Sequence, residues 1–104
     1  MKKRVLLVDD ESSVRMSLKM VLEPSYELIC ASEGEEGLTL YKRESPDLVL
    51  LDVMLPGEDG LSVLQTMHSE DARVPIIMLT GTKMVKTVVD AMKMGAADYV
   101  TKPF

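Results

Sequence analysis

Only one cysteine occurs in the 104 residues, so the chain can close no internal disulfide. That residue, Cys30, sits in the apolar stretch "YELICAS" and reads as an inert thiol packed in the interior. Basic charge is also short. The formal net charge is -5, whereas direct binding to nucleic acid calls for a basic face. Long apolar runs are missing. The N-terminus, "MKKRVLLVDD", opens with basic residues as a secretory leader does, but its apolar run stops after "VLLV" at two aspartates. A secretory core needs about 7–15 apolar residues and a membrane span about 20. Neither is met, so no membrane association is expected and the expected location is the cytoplasm. The glycines and prolines are few and scattered, and no repeat or low-complexity segment appears, which excludes fibrous and disordered classes.

What is present is apolar residues in globular proportion, 46% of the chain, at a length that suits one domain. A domain of this size buries about two-thirds of the surface its unfolded chain exposes, enough for a core without staples. The apolar residues fall in short runs separated by helical patterns. "RVLLV" (Arg4–Val8) precedes "SSVRMSLKMVLE", and "YELICA" (Tyr26–Ala31) precedes "GEEGLTLYKRE". "DLVLL" (Asp47–Leu51) precedes "DGLSVLQTMHSE", and "VPIIML" (Val74–Leu79) precedes "TKMVKTVVDAMKMG". A last run, "DYVT" (Asp98–Thr101), has almost nothing after it. The central runs are apolar at every position, as strands buried on both faces of a parallel sheet are. In the first helical segment Val14, Leu18, Val21 and Leu22 share a stripe. In the fourth, Val85, Val88, Val89 and Met92 do, and Gly95 closes that helix. Pro24 and Pro46 punctuate two helix-to-strand connections. Five strands alternating with four helices predict an α/β fold, a doubly wound parallel sheet with helices on both faces. Its ligand site then lies at the carboxyl ends of the strands, where the strand order reverses.

Asp9 and Asp10, with Glu11 next, follow the first strand. Asp52 follows the third, Thr80 ends the fourth and Lys102 ends the fifth. Each has a plain structural role open to it. Aspartates before a helix ordinarily cap it, an aspartate closing a strand turns the chain, a threonine suits a strand, and a lysine there points into water. Their convergence at one end of one sheet changes the weighing. The carboxylates of Asp9, Asp10 and Asp52 in one crevice repel each other unless positive charge intervenes. Lys102 supplies one such charge. An all-oxygen acidic cluster suits Mg2+, which keeps several waters and uses one or two carboxylates. A divalent ion, an ammonium and a hydroxyl together suit a phosphoryl group. Neither "GxxxxGK[ST]" nor "GxGxxG" occurs, so a nucleotide is not the expected carrier. A carboxylate can itself be the nucleophile and form an aspartyl phosphate.

"LLVDDE", "LLDVMLPGEDG", "IIMLTG" and "AMKMGAADYVTKPF" run from residue 5 to the last residue. In order and spacing they resemble the receiver domain of bacterial two-component response regulators. The resemblance implies a flavodoxin-like strand order, 2-1-3-4-5. It also implies that Asp52 is the phospho-acceptor, that Asp10 and Asp52 ligate Mg2+ with Asp9 acting through water, and that the backbone carbonyl of Met54 is a further ligand. Lys102 matches the lysine that contacts the phosphoryl group, Thr80 the switch hydroxyl and Tyr99 the switch aromatic. The Lys102–Pro103 bond is expected cis, which would aim Lys102 at the site. "PGEDG", with a tight turn at Pro56-Gly57, leaves Asp52 open on one side for in-line attack on a phosphohistidine. Met54 and Thr82 flank the position where the family tunes phosphoryl lifetime. The implied partners are a histidine kinase or histidine phosphotransfer protein and a C-terminal output domain. A receiver continues for one more helix, so residues 1–104 are expected to be a receiver domain cut short after its fifth strand, with the final fifth helix missing. The face left uncovered is expected to favour association of two copies.

Most of the nine methionines are expected as core filler. Met16 and Met20 lie opposite the Val14/Leu18 stripe, on the helix where the family's phosphodonor docks, and are candidate partner contacts. Met84, Thr87, Ala91 and Met94 form a second stripe on the fourth helix, part of the family's output face, and Met84 and Met94 are candidate contacts there. Packing against loops would explain that stripe equally well. His68 is expected in solvent. Two other functions fit part of the pattern. One is a receiver-like docking domain that is never phosphorylated. The other is an aspartate-nucleophile phosphohydrolase, but such enzymes carry a second acid two residues after the nucleophile, and here that residue is Met54. On the favoured reading the chain is not an enzyme in the ordinary sense and catalyses only its own phosphorylation and dephosphorylation.

Overall fold

Strand β1 (Lys3–Val8) is buried on both sides from Val5 onward, which explains why its sequence shows no alternation. It lies at the interior of a five-stranded parallel sheet in a computed structural model that describes residues 2–81 and 85–102. The other sheet strands are β2 (Tyr26–Ala31), β3 (Leu48–Asp52), β6 (Ile76–Thr80) and β7 (Asp98–Thr101), in the order β2-β1-β3-β6-β7. A two-residue hairpin, β4 (Met54–Leu55) with β5 (Glu58–Asp59), stands apart from the sheet. With the hairpin set aside, the order is the 2-1-3-4-5 expected from the sequence. The hairpin turns at Pro56-Gly57, where Gly57 adopts φ 69°, a conformation that favours glycine.

Residues alternate between the faces of each strand, so the sheet divides the core in two. Helices α2 (Gly34–Glu44), α3 (Gly60–Glu70) and α4 (Val85–Lys93) cover one face. There Leu6, Val8, Leu51 and Met78 of the strands meet Leu38, Val63, Leu64, Met67 and Ala91. Fully buried side chains such as Leu6, Leu51 and Leu64 each contribute about 1.5–3 kcal/mol. Among the described residues, α1 (Ser12–Leu22) is the helix on the other face, where Leu18 and Leu22 pack on Val5, Leu7, Leu50 and Leu79. That cover is thin. No residue of α1 is buried, and Val100 of β7 is 42% exposed.

Several sequence expectations need correction. Val21 is 71% exposed, because the α1 stripe that meets the sheet runs through Val14, Leu18 and Leu22. In α4 the small Ala91 takes the core position, so Val89 and Met92 turn outward and Ala91 does not belong to an outer stripe. Met67 and Met78 fill the core and Met16 and Met20 are exposed as expected, but Met54, Met92 and Met94 are exposed too, so methionine is mostly a surface residue among the described positions rather than core filler. Cys30, on edge strand β2, is only partly buried, although burial still pushes its thiol pKa up. His68 is partly buried, with its ring against Gly95. Gly95 does follow α4 with φ 109°, as expected of a helix-closing glycine. The equivalent left-handed position after α2 is Ser45, φ 46°, which no sequence signal marked. No helix among the described residues is long and apolar enough to cross a membrane.

Candidate functional site

The parallel arrangement brings the carboxyl ends of β1, β3, β6 and β7 to one edge of the sheet. Asp9 follows β1 and is fully buried. Its Oδ1 accepts the Glu11 amide at 2.9 Å, which turns the chain into α1. Asp52 closes β3 at 4% exposure, and its Oδ1 accepts the Met54 amide at 3.0 Å. Lys102 follows β7, and its amide donates to the Thr80 carbonyl at 2.7 Å, tying it to the neighbouring strand. From there its Nζ reaches Asp9 Oδ2 at 2.9 Å, Glu11 Oε1 at 3.0 Å and Asp52 Oδ2 at 3.1 Å. The contacts to Glu11 and Asp52 are hydrogen bonds. The contact to Asp9 is the shortest of the three, an ion pair to an oxygen that is fully buried.

Asp9, Asp10, Glu11 and Asp52 each place a carboxylate oxygen within 4.8 Å of the others. Among the described residues Lys102 contacts three of these four acids and the Arg15 guanidinium donates to the Asp9 carbonyl, so negative charge remains in surplus. Burial raises the pKa of Asp52 and the Asp9 charge adds to it, while the Met54 amide and Lys102 pull the other way without cancelling the rise. For Lys102, burial works to lower the pKa, but contacts with Asp9, Glu11 and Asp52 together raise it well above the usual lysine value. Asp10, Glu11, Asp52, Val53, Met54, Gly81 and Lys102 line a crevice of about 350 Å³. Surplus negative charge and an all-oxygen donor set fit a hard divalent cation such as Mg2+.

The backbone behind Asp52 is tightly held. The Val53 amide donates to Leu79 and the Gly60 amide to Val53, both at 3.0 Å. The Gly60 α-carbon passes so close to the Asp52 and Val53 carbonyls that a β-carbon would collide with both. Glycine is therefore required where α3 leaves the site, and the Asp59 carboxylate caps that helix through the Leu61 amide.

The structure brings Asp9, Asp10, Asp52 and Lys102 together, as the sequence predicts. Thr80 is buried and its hydroxyl donates to the Gly81 carbonyl at 3.2 Å, so it does not line the crevice and its side chain is turned to its own backbone. Tyr99, on β7, is 46% exposed. Met54 stands at the crevice rim, and Met16 and Met20 are exposed on α1. Met94 is exposed after α4. Met84, Thr82 and Pro103, and with it the Lys102–Pro103 bond, lie outside the described residues. Sequence reasoning missed Glu11 as a partner of Lys102. Its signal was its place directly after the two aspartates at a strand end.

A family model described as the response regulator receiver domain matches residues 5–104. The alkaline phosphatase synthesis transcriptional regulatory protein PhoP of Bacillus subtilis is 45% identical over 105 residues, covering 100% of this chain and 44% of that protein. A probable transcriptional regulator ycf27 of Cyanophora paradoxa is 46% identical, covering 99% of this chain and 43% of the relative. The chain thus spans about two-fifths of the length of these curated relatives. Among solved structures, a CheY-like response regulator receiver domain protein of Methanospirillum hungatei superposes with a TM-score of 0.94 at 33% identity, covering 100% of this chain and 84% of that one. NtrX of Brucella abortus gives a TM-score of 0.91 at 31% identity, covering 100% of this chain and 24% of that one. Together with the strand order and the acid-lined crevice, these matches show that the chain belongs to the response regulator receiver domain family of two-component signalling.

Proposed function

We propose that residues 1–104 act as a receiver domain that accepts a phosphoryl group on Asp52 from a phosphohistidine, and changes surface in response. The observation that carries this reading is the setting of Asp52. It is a buried carboxylate that lines an open acidic crevice and has an ammonium 3.1 Å from its Oδ2. In the transfer, a carboxylate oxygen of Asp52 bonds to phosphorus, the nitrogen–phosphorus bond of the donor breaks, and the donor imidazole leaves. Asp10 and Asp52, with Asp9 through water and the Met54 carbonyl, would hold Mg2+, which neutralises charge on the phosphoryl oxygens. Lys102 contacts those oxygens from the β7 side. Thr80 exchanges its bond to the Gly81 carbonyl for one to the phosphoryl group, and Tyr99 turns inward behind it.

The phosphodonor is a histidine kinase or histidine phosphotransfer protein that contacts Met16 and Met20. An output domain or partner reads the α4–β7 surface around Met94, with Met84. PhoP and the ycf27 relative are transcriptional regulators more than twice as long as this chain, which supports an output domain. The domain itself, at net charge -5, does not contact nucleic acid. It works in the cytoplasm and turns over no external substrate beyond its own phosphorylation and dephosphorylation. Two copies associate through the face carrying α1, where Val21 and Val100 are exposed.

Incubation with phosphoramidate and Mg2+, read by intact mass, tests the reading. A gain of one phosphoryl group that disappears in a folded Asp52→Asn variant is expected. No gain in the folded wild-type protein overturns it.

A further inference from the structure

Lys102 is held by one carboxylate that phosphoryl acceptance does not call for. Asp52 and Asp9 are buried, and each has its Oδ1 fixed by a backbone amide. Glu11 is different. Its side chain is 55% exposed, and among the described residues its carboxylate makes a single hydrogen bond, to Lys102 at 3.0 Å. It occupies the N-cap of α1 but makes no capping bond with its side chain. Rotation of one side chain is therefore enough to release it, and an exposed ion pair is among the weakest contacts a protein makes. The Asp9 and Asp52 carboxylates have no comparable freedom. A phosphoryl group on Asp52 needs donors from Lys102, and the one that costs least to free is the one spent on Glu11.

We propose that Glu11 is a positioning residue, a releasable counter-ion that occupies Lys102 and so sets how readily the site accepts a phosphoryl group. This rests on the reading of Asp52 as acceptor. Two variants separate the contact from mere charge. Glu11→Gln keeps the length and removes the charge. Glu11→Asp keeps the charge but is one methylene too short for the present contact. Both are expected to raise the rate of Asp52 phosphorylation by phosphoramidate at saturating Mg2+, by about two- to fivefold, the range that loss of an exposed ion pair allows.

A second readout needs neither metal nor phosphoryl donor. In metal-free protein the side-chain ammonium of Lys102, observed by nitrogen-15 NMR, exchanges its protons with water slowly in the wild type. It exchanges faster in both variants. Acceleration of phosphorylation by Glu11→Gln alone overturns the proposal in favour of simple charge repulsion. A large loss of Mg2+ affinity with slower phosphorylation assigns Glu11 to the metal and overturns it as well. Unchanged ammonium exchange in both variants overturns the contact itself. Absence of phosphorylation in the wild type fails the underlying reading instead, and the inference falls with it.

Discussion

Replacing Lys102 by methionine removes the one ammonium among the described residues that lies against both Asp9 and Asp52. The two carboxylates are fully buried and 4% exposed, and Lys102 Nζ sits 2.9 and 3.1 Å from their oxygens. Removing one partner of a buried ion pair costs about 3–5 kcal/mol, because the charge left behind has neither water nor a counter-ion. Two features place this site at the low end. The crevice opens to solvent, and the raised pKa of Asp52 means that it takes up a proton more easily than an ordinary aspartate. The expected loss is about 3 kcal/mol at pH 7.5 in the presence of a chelator. With a urea slope of about 1–3 kcal/mol/M, the unfolding midpoint falls by about 1–3 M. The sign with pH follows from Asp52. Once that carboxyl is protonated there is less charge to strand, so the penalty at pH 5 is smaller than at pH 7.5. In an Asp52→Asn background the same lysine substitution is expected to cost about half as much. A midpoint that does not move, or a loss of the same size with Asp52 neutralised, refutes the ion-pair account.

Asp52→Asn alone is expected to stabilise the protein at neutral pH. The folded pKa of Asp52 is raised by burial, so its ionised form weakens the fold above that pKa. The gain from the variant is therefore full above the raised value and fades as pH falls through it towards the ordinary aspartate value, which thermal melts across a pH series will show. Gly60→Ala is expected to cost at least about 3 kcal/mol, since the added β-carbon meets two backbone carbonyls rather than a yielding side chain. Gly57→Ala meets nothing within 4 Å and pays only for its positive φ, about 1–2 kcal/mol. Equal urea midpoints for the two glycine variants would contradict the crowding behind Asp52. Sedimentation velocity is expected to show concentration-dependent association that Val21→Lys weakens, and a monomer at all concentrations would remove the proposed dimer face.

The sheet was legible because the centres of β1, β3 and β6 (Val5–Val8, Leu48–Leu51 and Ile76–Leu79) are apolar without alternation, and Pro24, Pro46 and Gly95 mark where helices stop. Gly95 and the Pro56-Gly57 turn were readable for the same reason: their backbone geometry needs those residues. The site was legible as well, because parallel topology sends every strand end to one edge, so the sequence positions of Asp9, Asp10, Asp52 and Lys102 decide their meeting. What did not show was rotation about the helix axis. Periodicity alone does not say that small Ala91, rather than Val89 or Met92, faces the sheet, since that choice is made by how closely α4 approaches. Exposure of Met16 and Met20 was legible from the α1 stripe, whereas that of Met92 was not, for the same reason. Side-chain contacts across the crevice were also hidden. The bond from Lys102 to Glu11 links positions 91 residues apart, and Thr80 binds its own neighbour's carbonyl, which depends on a rotamer and not on spacing.

The central claim is that Asp52 carries the phosphoryl group, and peptide mapping after borohydride reduction tests it most directly. Reduction converts an aspartyl phosphate to homoserine and leaves free carboxylates untouched. After treatment with phosphoramidate and Mg2+, homoserine is expected at position 52 and nowhere else. Homoserine at Asp9, Asp10 or another acid, with position 52 still aspartate, contradicts the account.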